Sequence, residues 1–196
     1  MDQFEPIIRH LERFIPIDEE EISYFTSLLK VNRVKKKQYI VQPGFPCKHR
    51  FYVVEGAFRS FLYDGQANEH TVAFAVEDWW ITDFNSYIYQ RPATLFVEAL
   101  EDSLIFQIDY NAEQLLLETH PRFEKFLRIL SQRALAAVQR RMLSNLSKSA
   151  EERYEEFVEN YPQIANRVPQ YALASFLGFS TEYMSKIRNR RTKKLN

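Results

Sequence analysis

The chain has 196 residues, 45% of them hydrophobic and 15% aromatic, which is enough to bury the core of one large domain or of two small ones. A single cysteine, Cys47, excludes an intrachain disulfide framework and a cysteine-rich metal or iron–sulfur site within one chain. The acidic N-terminus lacks the apolar run of a signal peptide, and no uncharged stretch has the length of a membrane span. We therefore expect a cytoplasmic protein that makes no contact with a membrane.

The net charge of zero conceals an asymmetry between the C-terminal end and the rest of the chain. Residues 180–196 hold six basic side chains and one acidic side chain, so the remaining residues carry a net charge of −5. A basic end is typical of a solvated tail, and it is equally typical of a site for a polyanion such as nucleic acid. Charge alone leaves both interpretations open.

The N-terminal part changes from a helical to a strand pattern. Residues 4–30 have helical spacing, and Asp18 followed by three glutamates indicates a capped helix start. From about Val31 short strands alternate with turn signals, of which Asp64-Gly65 is the strongest hairpin signal. We place strands at 38–42, 51–56, 57–63, 70–76, 94–99 and 104–108. This pattern predicts an antiparallel β-roll of the double-stranded β-helix or jelly-roll type.

After Asp109 the spacing is helical again, and a helix from Pro121 to Leu146 would be about 39 Å long. One apolar stripe runs along it at spacings of three and four, formed by Leu127, Leu130, Ala134, Val138, Met142 and Leu146. Such a stripe is typical of a core helix or of a helix that pairs with its symmetry mate. Because the stripe is longer than a small roll is wide, we predict a homodimer through its first five residues.

These elements predict an α+β fold with three parts. The first part, residues 1–110, is a β-roll with N-terminal helices, which the family resemblance given below makes a sensor domain. The second, residues 111–147, is a short helix followed by the long dimerisation helix, and the third, residues 148–196, is a helical domain. The polar residues 145–150 are the best candidate for a hinge.

The segment 168–188 has the pattern of a helix, a tight turn and a second helix. Leu173 and Leu177 form an inward face, and Gly178 can adopt the left-handed conformation that ends the first helix. Ser180 can accept the free backbone N–H groups that begin the second helix. The alternative is an ordinary pair of packed helices, which these small and capping residues disfavour.

The second helix presents polar and basic side chains outward, as does a helix that enters the major groove of DNA. We predict that DNA is contacted by Gln170, Ser180, Thr181, Glu182, Ser185, Lys186, Arg188, Asn189, Arg190 and Arg191. The basic residues from Arg188 onward are expected at or beyond the end of the helix, close to phosphates. Only seven residues follow Asn189, so a wing hairpin is expected to be truncated or absent.

The motif Leu173-Ala174-x-x-Leu177-Gly178-x-Ser180, with Tyr52-Val53-Val54-Glu55-Gly56, Phe96-Val97-Glu98-Ala99 and the long helix, resembles the CRP/FNR family of transcription regulators. The resemblance covers nearly the whole chain. It implies a cyclic-nucleotide-type β-roll, a dimer helix and a C-terminal winged helix-turn-helix that binds double-stranded DNA. It also implies that Thr181, Glu182 and Lys186 read base edges, and it makes RNA polymerase a candidate partner.

The chain departs from this family at the nucleotide-binding cassette, which consists of Gly-Glu, a short helix and then Arg-Ser/Thr. Thr82, Asp83 and Ala93 stand in place of the glycine, the glutamate and the arginine, while Thr94 keeps the hydroxyl. Arg91 lies two residues early, so it would need a backbone shift to pair with a phosphate. We predict that cyclic AMP is not the ligand, and that Thr82, Asp83, Arg91 and Thr94 line a site for another small effector or for none.

Two alternatives from other classes remain open. One is an enzyme related to the cupins, and the other is a ligand-binding module whose C-terminal helices bind protein. The four histidines are scattered without the spacing of a metal site, and no motif pairs a nucleophile with a base. We therefore predict no enzymatic activity, no cofactor and no metal.

Overall fold

The computed structural model describes the backbone of residues 3–195 and the side chains of residues 3–190. Two helices come first, α1 (Glu5–Glu12) and α2 (Glu19–Ser27). The Asp18 carboxylate accepts the backbone N–H of Glu21 at 3.0 Å, and the Glu21 carboxylate accepts the backbone N–H of Asp18. This reciprocal cap satisfies two N–H groups at the start of α2, so the predicted helix start is confirmed.

The middle of the chain forms a roll of two antiparallel sheets. Its strands are β1 (Lys30–Val34), β2 (Tyr39–Val41), β3 (His49–Glu55), β4 (Phe58–Tyr63), β5 (Glu69–Ala75), β6 (Trp80–Ile81), β7 (Phe96–Ala99) and β8 (Ser103–Asp109). The strand order is β1-β8-β3-β6 in the first sheet and β2-β7-β4-β5 in the second. Val53, Phe58, Val97 and Ile105 fill the space between the sheets. The predicted α+β fold with an antiparallel roll is confirmed.

Three elements of the roll have no clear sequence signal. They are β1, β6 and the six-residue helix α3 (Phe84–Tyr89). The hairpin between β4 and β5 is confirmed, but its loop has five residues, 64–68, rather than a two-residue turn at Asp64-Gly65. The Asp64 carboxylate accepts the backbone N–H groups of Gln66 and Asn68, and Ala67 adopts the positive φ of 62°. The side chain of Asp64 therefore shapes the loop that the Asp-Gly pair was expected to form.

Two helices, α4 (Tyr110–Thr119) and α5 (Arg122–Ser147), pack with α1 and α2 on the outer face of the first sheet. Phe123 and Phe126 at the start of α5 are fully buried against this face. The predicted long helix is confirmed, but its apolar stripe does not have one environment. Leu127 and Leu130 pack against the roll, whereas the later stripe residues Ala134, Val138, Met142 and Leu146 are exposed.

The C-terminal helices are α6 (Ala150–Asn160), α7 (Pro162–Ala165), α8 (Gln170–Leu177) and α9 (Thr181–Leu195). Only Lys148 and Ser149 separate α5 from α6, which places the helix break inside the predicted hinge. The helices share one apolar core with the second sheet, where Phe74 and Val76 meet Phe157 and Leu173. Residue 148 therefore divides the chain into two segments, but one apolar core contains side chains from both.

Helix α9 is longer than the sequence indicated. It runs to Leu195, so Arg190 and Arg191 lie within the helix rather than beyond its end. No glycine or proline follows Ser180, and Arg, Lys and Leu all favour the helix, which explains the extension. Among the helices of residues 3–195, none has both the length and the apolar character needed to cross a membrane.

Candidate nucleic-acid interface

The turn between α8 and α9 is built on Gly178. Its backbone is left-handed, with φ 80° and ψ 34°, a conformation that costs glycine little. The N–H of Phe179 then reaches back to the carbonyl of Ala174 at 3.1 Å, which closes the end of α8. Only three residues, 178–180, separate α8 from α9, so the two helices meet in a tight turn.

Ser180 caps the second helix, as predicted. Its hydroxyl accepts the backbone N–H of Tyr183 at 3.2 Å, and its carbonyl accepts that of Met184 at 3.0 Å. Met184 and Ile187 are buried in the same core as Leu173 and Leu177. This packing fixes the rotation of α9 about its own axis and therefore decides which of its residues face solvent.

The residues predicted to contact DNA are brought together on one exposed surface. Ser180, Thr181, Glu182, Ser185, Lys186, Arg188, Asn189 and Arg190 are exposed, and Gln170 is half-buried beside them. Gln170 donates its side-chain amide to the Ser185 hydroxyl at 2.7 Å, which ties the start of α8 to α9. The side chain of Arg191 lies outside the described residues.

The charges on this surface are suited to hydrogen bonding at neutral pH. The carboxylate of Glu182 accepts hydrogen bonds from its own backbone N–H and from Ser180, which lowers its pKa and keeps it ionised. Arg190 lies 3.3 Å from the Glu151 carboxylate of α6, an exposed pair that contributes little to stability. Glu182 is therefore a hydrogen-bond acceptor at the N-terminal end of α9, and Lys186 provides donors one turn later.

Helix α6 supports the turn from behind through residues that sequence reasoning missed. Arg153 donates to the carbonyl of Leu177 at 3.1 Å, and its guanidinium lies 5.9 Å from the centroid of the Phe179 ring. Glu151 accepts the hydroxyl of Tyr183 at 2.9 Å. These partners lie more than twenty residues apart in the chain, so no local pattern could have identified them.

A second candidate site is the cassette of the roll, where the carboxylate of Asp83 is hydrogen-bonded within the protein. The Asp83 side chain is buried, and its carboxylate accepts backbone N–H groups from Ser86 at 3.0 Å, Thr94 at 2.8 Å and Leu95 at 3.0 Å. Burial alone would raise the pKa of Asp83, but these N–H groups outweigh burial and lower it. Asp83 is therefore an ionised carboxylate whose acceptor capacity is used within the protein.

Of the other three cassette residues, Thr94 contacts Asp83, while Thr82 and Arg91 have other partners. Thr82 is buried and donates its hydroxyl to the carbonyl of His49 at 2.9 Å. Arg91 and Thr94 are exposed, and the guanidinium of Arg91 lies 5.8 Å from the centroid of the Tyr89 ring. Ala93, which replaces the family's arginine, packs in the apolar core between the sheets. Within the described residues, no three side chains from His, Cys, Asp and Glu gather as metal ligands would.

Comparison with known proteins agrees with this architecture. Residues 31–120 match the family model of the cyclic nucleotide-binding domain. The structure of FixK2 from Bradyrhizobium japonicum is similar with a TM-score of 0.74 and 17% identity, covering 85% of this chain and 85% of that one. A transcriptional regulator of the crp/fnr family from Eubacterium rectale has a TM-score of 0.69 and 16% identity, covering 90% and 85%. The chain has the CRP/FNR fold.

A curated relative is similar in sequence over much of this CRP/FNR fold. Electron transport regulator A of Shewanella oneidensis is 24% identical over 171 residues, which are 80% of this chain and 66% of the relative. The chain thus spans less than two thirds of that relative's length. The resemblance stated from the motifs is confirmed, since the roll, the long helix and the C-terminal helices of the CRP/FNR fold are all present.

Proposed function

We propose that this protein is a sequence-specific DNA-binding transcription regulator that acts as a homodimer in the cytoplasm. The observation that carries the proposal is the exposed face of α9, which bears polar and basic side chains while the opposite face is buried. Those exposed side chains include Thr181, Glu182, Ser185, Lys186 and Asn189. Such a face matches the donors and acceptors of base edges in the major groove.

Different residues of α9 are assigned to different contacts. The Glu182 carboxylate can accept from cytosine N4, and the Lys186 ammonium can donate to guanine O6 or N7. Arg188 and Arg190, nearer the C-terminal half of the helix, are placed to approach phosphates, which set register and affinity rather than sequence. Thr181 and Lys186 stand where CRP/FNR regulators typically carry arginine, so we expect the operator sequence to differ from those of other CRP/FNR regulators.

The proposed dimer interface is the exposed apolar seam of α5, formed by Leu135, Val138, Met142 and Leu146. These side chains are between 61% and 76% exposed, and their spacings of three and four residues place them on one side of the helix. Large contiguous apolar surface of this kind is typical of an interaction site. Of the interface residues proposed from sequence, Ala134, Val138 and Met142 are exposed, while Leu127 and Leu130 contact the protein's own roll.

The roll is proposed to act without cyclic AMP. The backbone N–H groups of Thr94 and Leu95 are taken by the Asp83 carboxylate, and the buried Ala93 supplies no guanidinium for a phosphate. RNA polymerase stays a candidate partner, supported only by the regulators whose fold the chain shares.

This function can be tested by selecting binding sites from random DNA and then measuring the affinity for the enriched site at several salt concentrations. An inverted repeat should emerge, with half-sites about 34–36 Å apart. Its affinity should fall steeply between about 50 and 200 mM salt, because phosphate contacts release counterions. Failure to enrich any sequence would contradict the proposal and favour C-terminal helices that bind protein.

A further inference from the structure

The helix-turn-helix is attached to the edge of the roll through a serine hydroxyl. Ser175 on α8 donates to the carbonyl of Glu69 at 2.8 Å and accepts the N–H of Thr71 at 2.8 Å. Both partners lie on β5, the edge strand of the second sheet. Because an edge strand leaves backbone groups unpaired, the hydroxyl satisfies groups that a neighbouring strand would otherwise take. Helix α8 is thereby held in one register along β5.

Arg141 connects α5, the proposed dimer helix, to the same strand, β5. From α5 its guanidinium donates to the carbonyl of Val72 on β5, and it lies 4.7 Å from the centroid of the Phe176 ring on α8. The pKa of Arg141 is lowered by burial, with no acidic neighbour among the described side chains to offset it. Burying a cation without a counter-charge destabilises the fold. The hydrogen bond to β5 and the cation–π contact with α8 offset part of this destabilisation.

Phe176 connects Arg141 to the apolar core of the helix-turn-helix. Its ring centroid lies 5.2 Å from that of Phe74 on β5 and 5.5 Å from that of Phe157 on α6. Helices α8 and α9 share the buried core that contains Leu173 and Met184. A shift of Phe176 would therefore move α9 together with α8.

Several contacts orient the helix-turn-helix relative to α5. One is the short break at Lys148 and Ser149, reinforced by the hydrogen bond from Ser144 to Glu156 at 2.7 Å. The apolar core shared with the second sheet holds the helix-turn-helix against the roll, and Arg141, two turns earlier on α5, adds a contact that joins α5 itself to both β5 and α8. Arg141 also directly precedes Met142 of the proposed dimer seam, so it links the seam to α8.

We infer that Arg141 is a positioning residue that sets the separation of the two recognition helices in the dimer and hence the half-site spacing the protein accepts. This inference rests on the proposed function. A rigid dimer can bind half-sites at another spacing only if the DNA twists or bends, which costs free energy. A dimer whose helix-turn-helix can move adapts to the spacing itself, so the DNA is deformed less. Loss of Arg141 should therefore broaden spacing tolerance while leaving the half-site sequence preference unchanged.

The test uses one half-site sequence presented at a series of spacings, shortened or lengthened by one and two base pairs. The full-length wild type should prefer one spacing over those two base pairs away by about tenfold. Arg141→Ala should reduce that preference to about threefold or less while remaining dimeric in sedimentation. Arg140→Ala, at the exposed neighbouring position, should keep the wild-type profile.

Phe176→Leu provides a second variant, because it keeps an apolar side chain in the core but removes the ring that Arg141 contacts. It should broaden the spacing profile as Arg141→Ala does, which keeps the inference testable if Arg141→Ala does not fold. A wild-type spacing profile in the folded variant, or equal loss of affinity at every spacing, would overturn the positioning role. Absence of DNA binding by the wild type at all spacings would instead overturn the proposed function.

Discussion

The carboxylate of Asp83 accepts the backbone N–H of Thr94 at 2.8 Å, which joins the start of the roll's short helix α3 to the segment that follows it. Leu95 donates a second N–H to the same carboxylate oxygen. Both N–H groups directly follow Ala93, which stands at the position that the family resemblance assigns to an arginine. The backbone N–H groups that could bind the phosphate of a ligand are therefore already bound to the carboxylate of Asp83.

Cyclic AMP should show no binding at micromolar affinity in calorimetry. The phosphate would have to displace the Asp83 carboxylate from its N–H donors, and Ala93 supplies no guanidinium in return. Micromolar or tighter binding would contradict this prediction. Arg91→Ala would then be the first variant to examine, because the exposed Arg91 is the nearest substitute phosphate partner in sequence.

Asp83→Ala should lower the free energy of unfolding at pH 7 by about 3 kcal/mol, because it leaves buried N–H groups without an acceptor. The pKa of Asp83 is lowered in the folded state, so its stabilisation is present above the unfolded pKa of about 3.9 and is lost as the pH falls through the folded value. Urea unfolding should therefore show the two proteins converging at strongly acidic pH. Thr94→Val, which removes only a 3.4 Å hydroxyl contact, should cost less than about 1 kcal/mol; an equal loss in both variants would argue against this role for the carboxylate.

Val138→Glu should convert the dimer to a monomer, because it places unpaired charge in the apolar seam. Ala136→Glu, exposed on the same helix but turned away from the seam, should leave the dimer intact. Leu130→Glu, by contrast, should mainly destabilise the roll against which Leu130 packs. Sedimentation and thermal unfolding separate these outcomes, and a wild type that is monomeric at micromolar concentration would refute the dimer.

Lys186→Ala should weaken operator binding by about 1–3 kcal/mol and relax the preference at one position of each half-site. Arg191→Ala should instead weaken all sequences alike and flatten the salt slope by about one unit, as expected for a phosphate contact. Binding-site selection with both variants distinguishes the roles. The assignment is wrong if the Lys186 variant keeps the wild-type site while the Arg191 variant alters it.

Stability should fall as the pH drops below about 6.5, partly because of His10. This side chain is 5% exposed among Phe14, Tyr52 and Phe126, and neither ring nitrogen has a hydrogen-bond partner among the described residues. Burial lowers its pKa, so the folded state holds it neutral above the unfolded value and loses stability as the pH falls toward the folded one.

His10→Phe should flatten the decline in stability toward acid pH, as followed by urea unfolding between pH 7 and the acid range. Some dependence should survive in the His10 variant, because burial also lowers the pKa of His49. An unchanged profile after His10→Phe would refute its contribution.

The helix-turn-helix could be predicted from the sequence because its determinants are local. The left-handed Gly178, the cap at Ser180 and the inward spacing of Leu173 and Leu177 all act within a few residues of one another. The same reasoning predicted the capped start of α2 at Asp18 and most strands of the roll. It failed for β1 and β6, which depend on pairing with strands far away in the chain.

Only the tertiary structure decided the faces of α5 and the partners of its side chains. Every position of α5 from 131 to 140 is exposed, so the helix leaves the roll after Leu130 and the later residues of the stripe, Met142 among them, face solvent. Arg141 meets Val72 and Phe176, and Ser175 meets Thr71 from 104 residues away. A local pattern specifies a helix and its caps, but which surfaces meet depends on how the whole chain buries its apolar area.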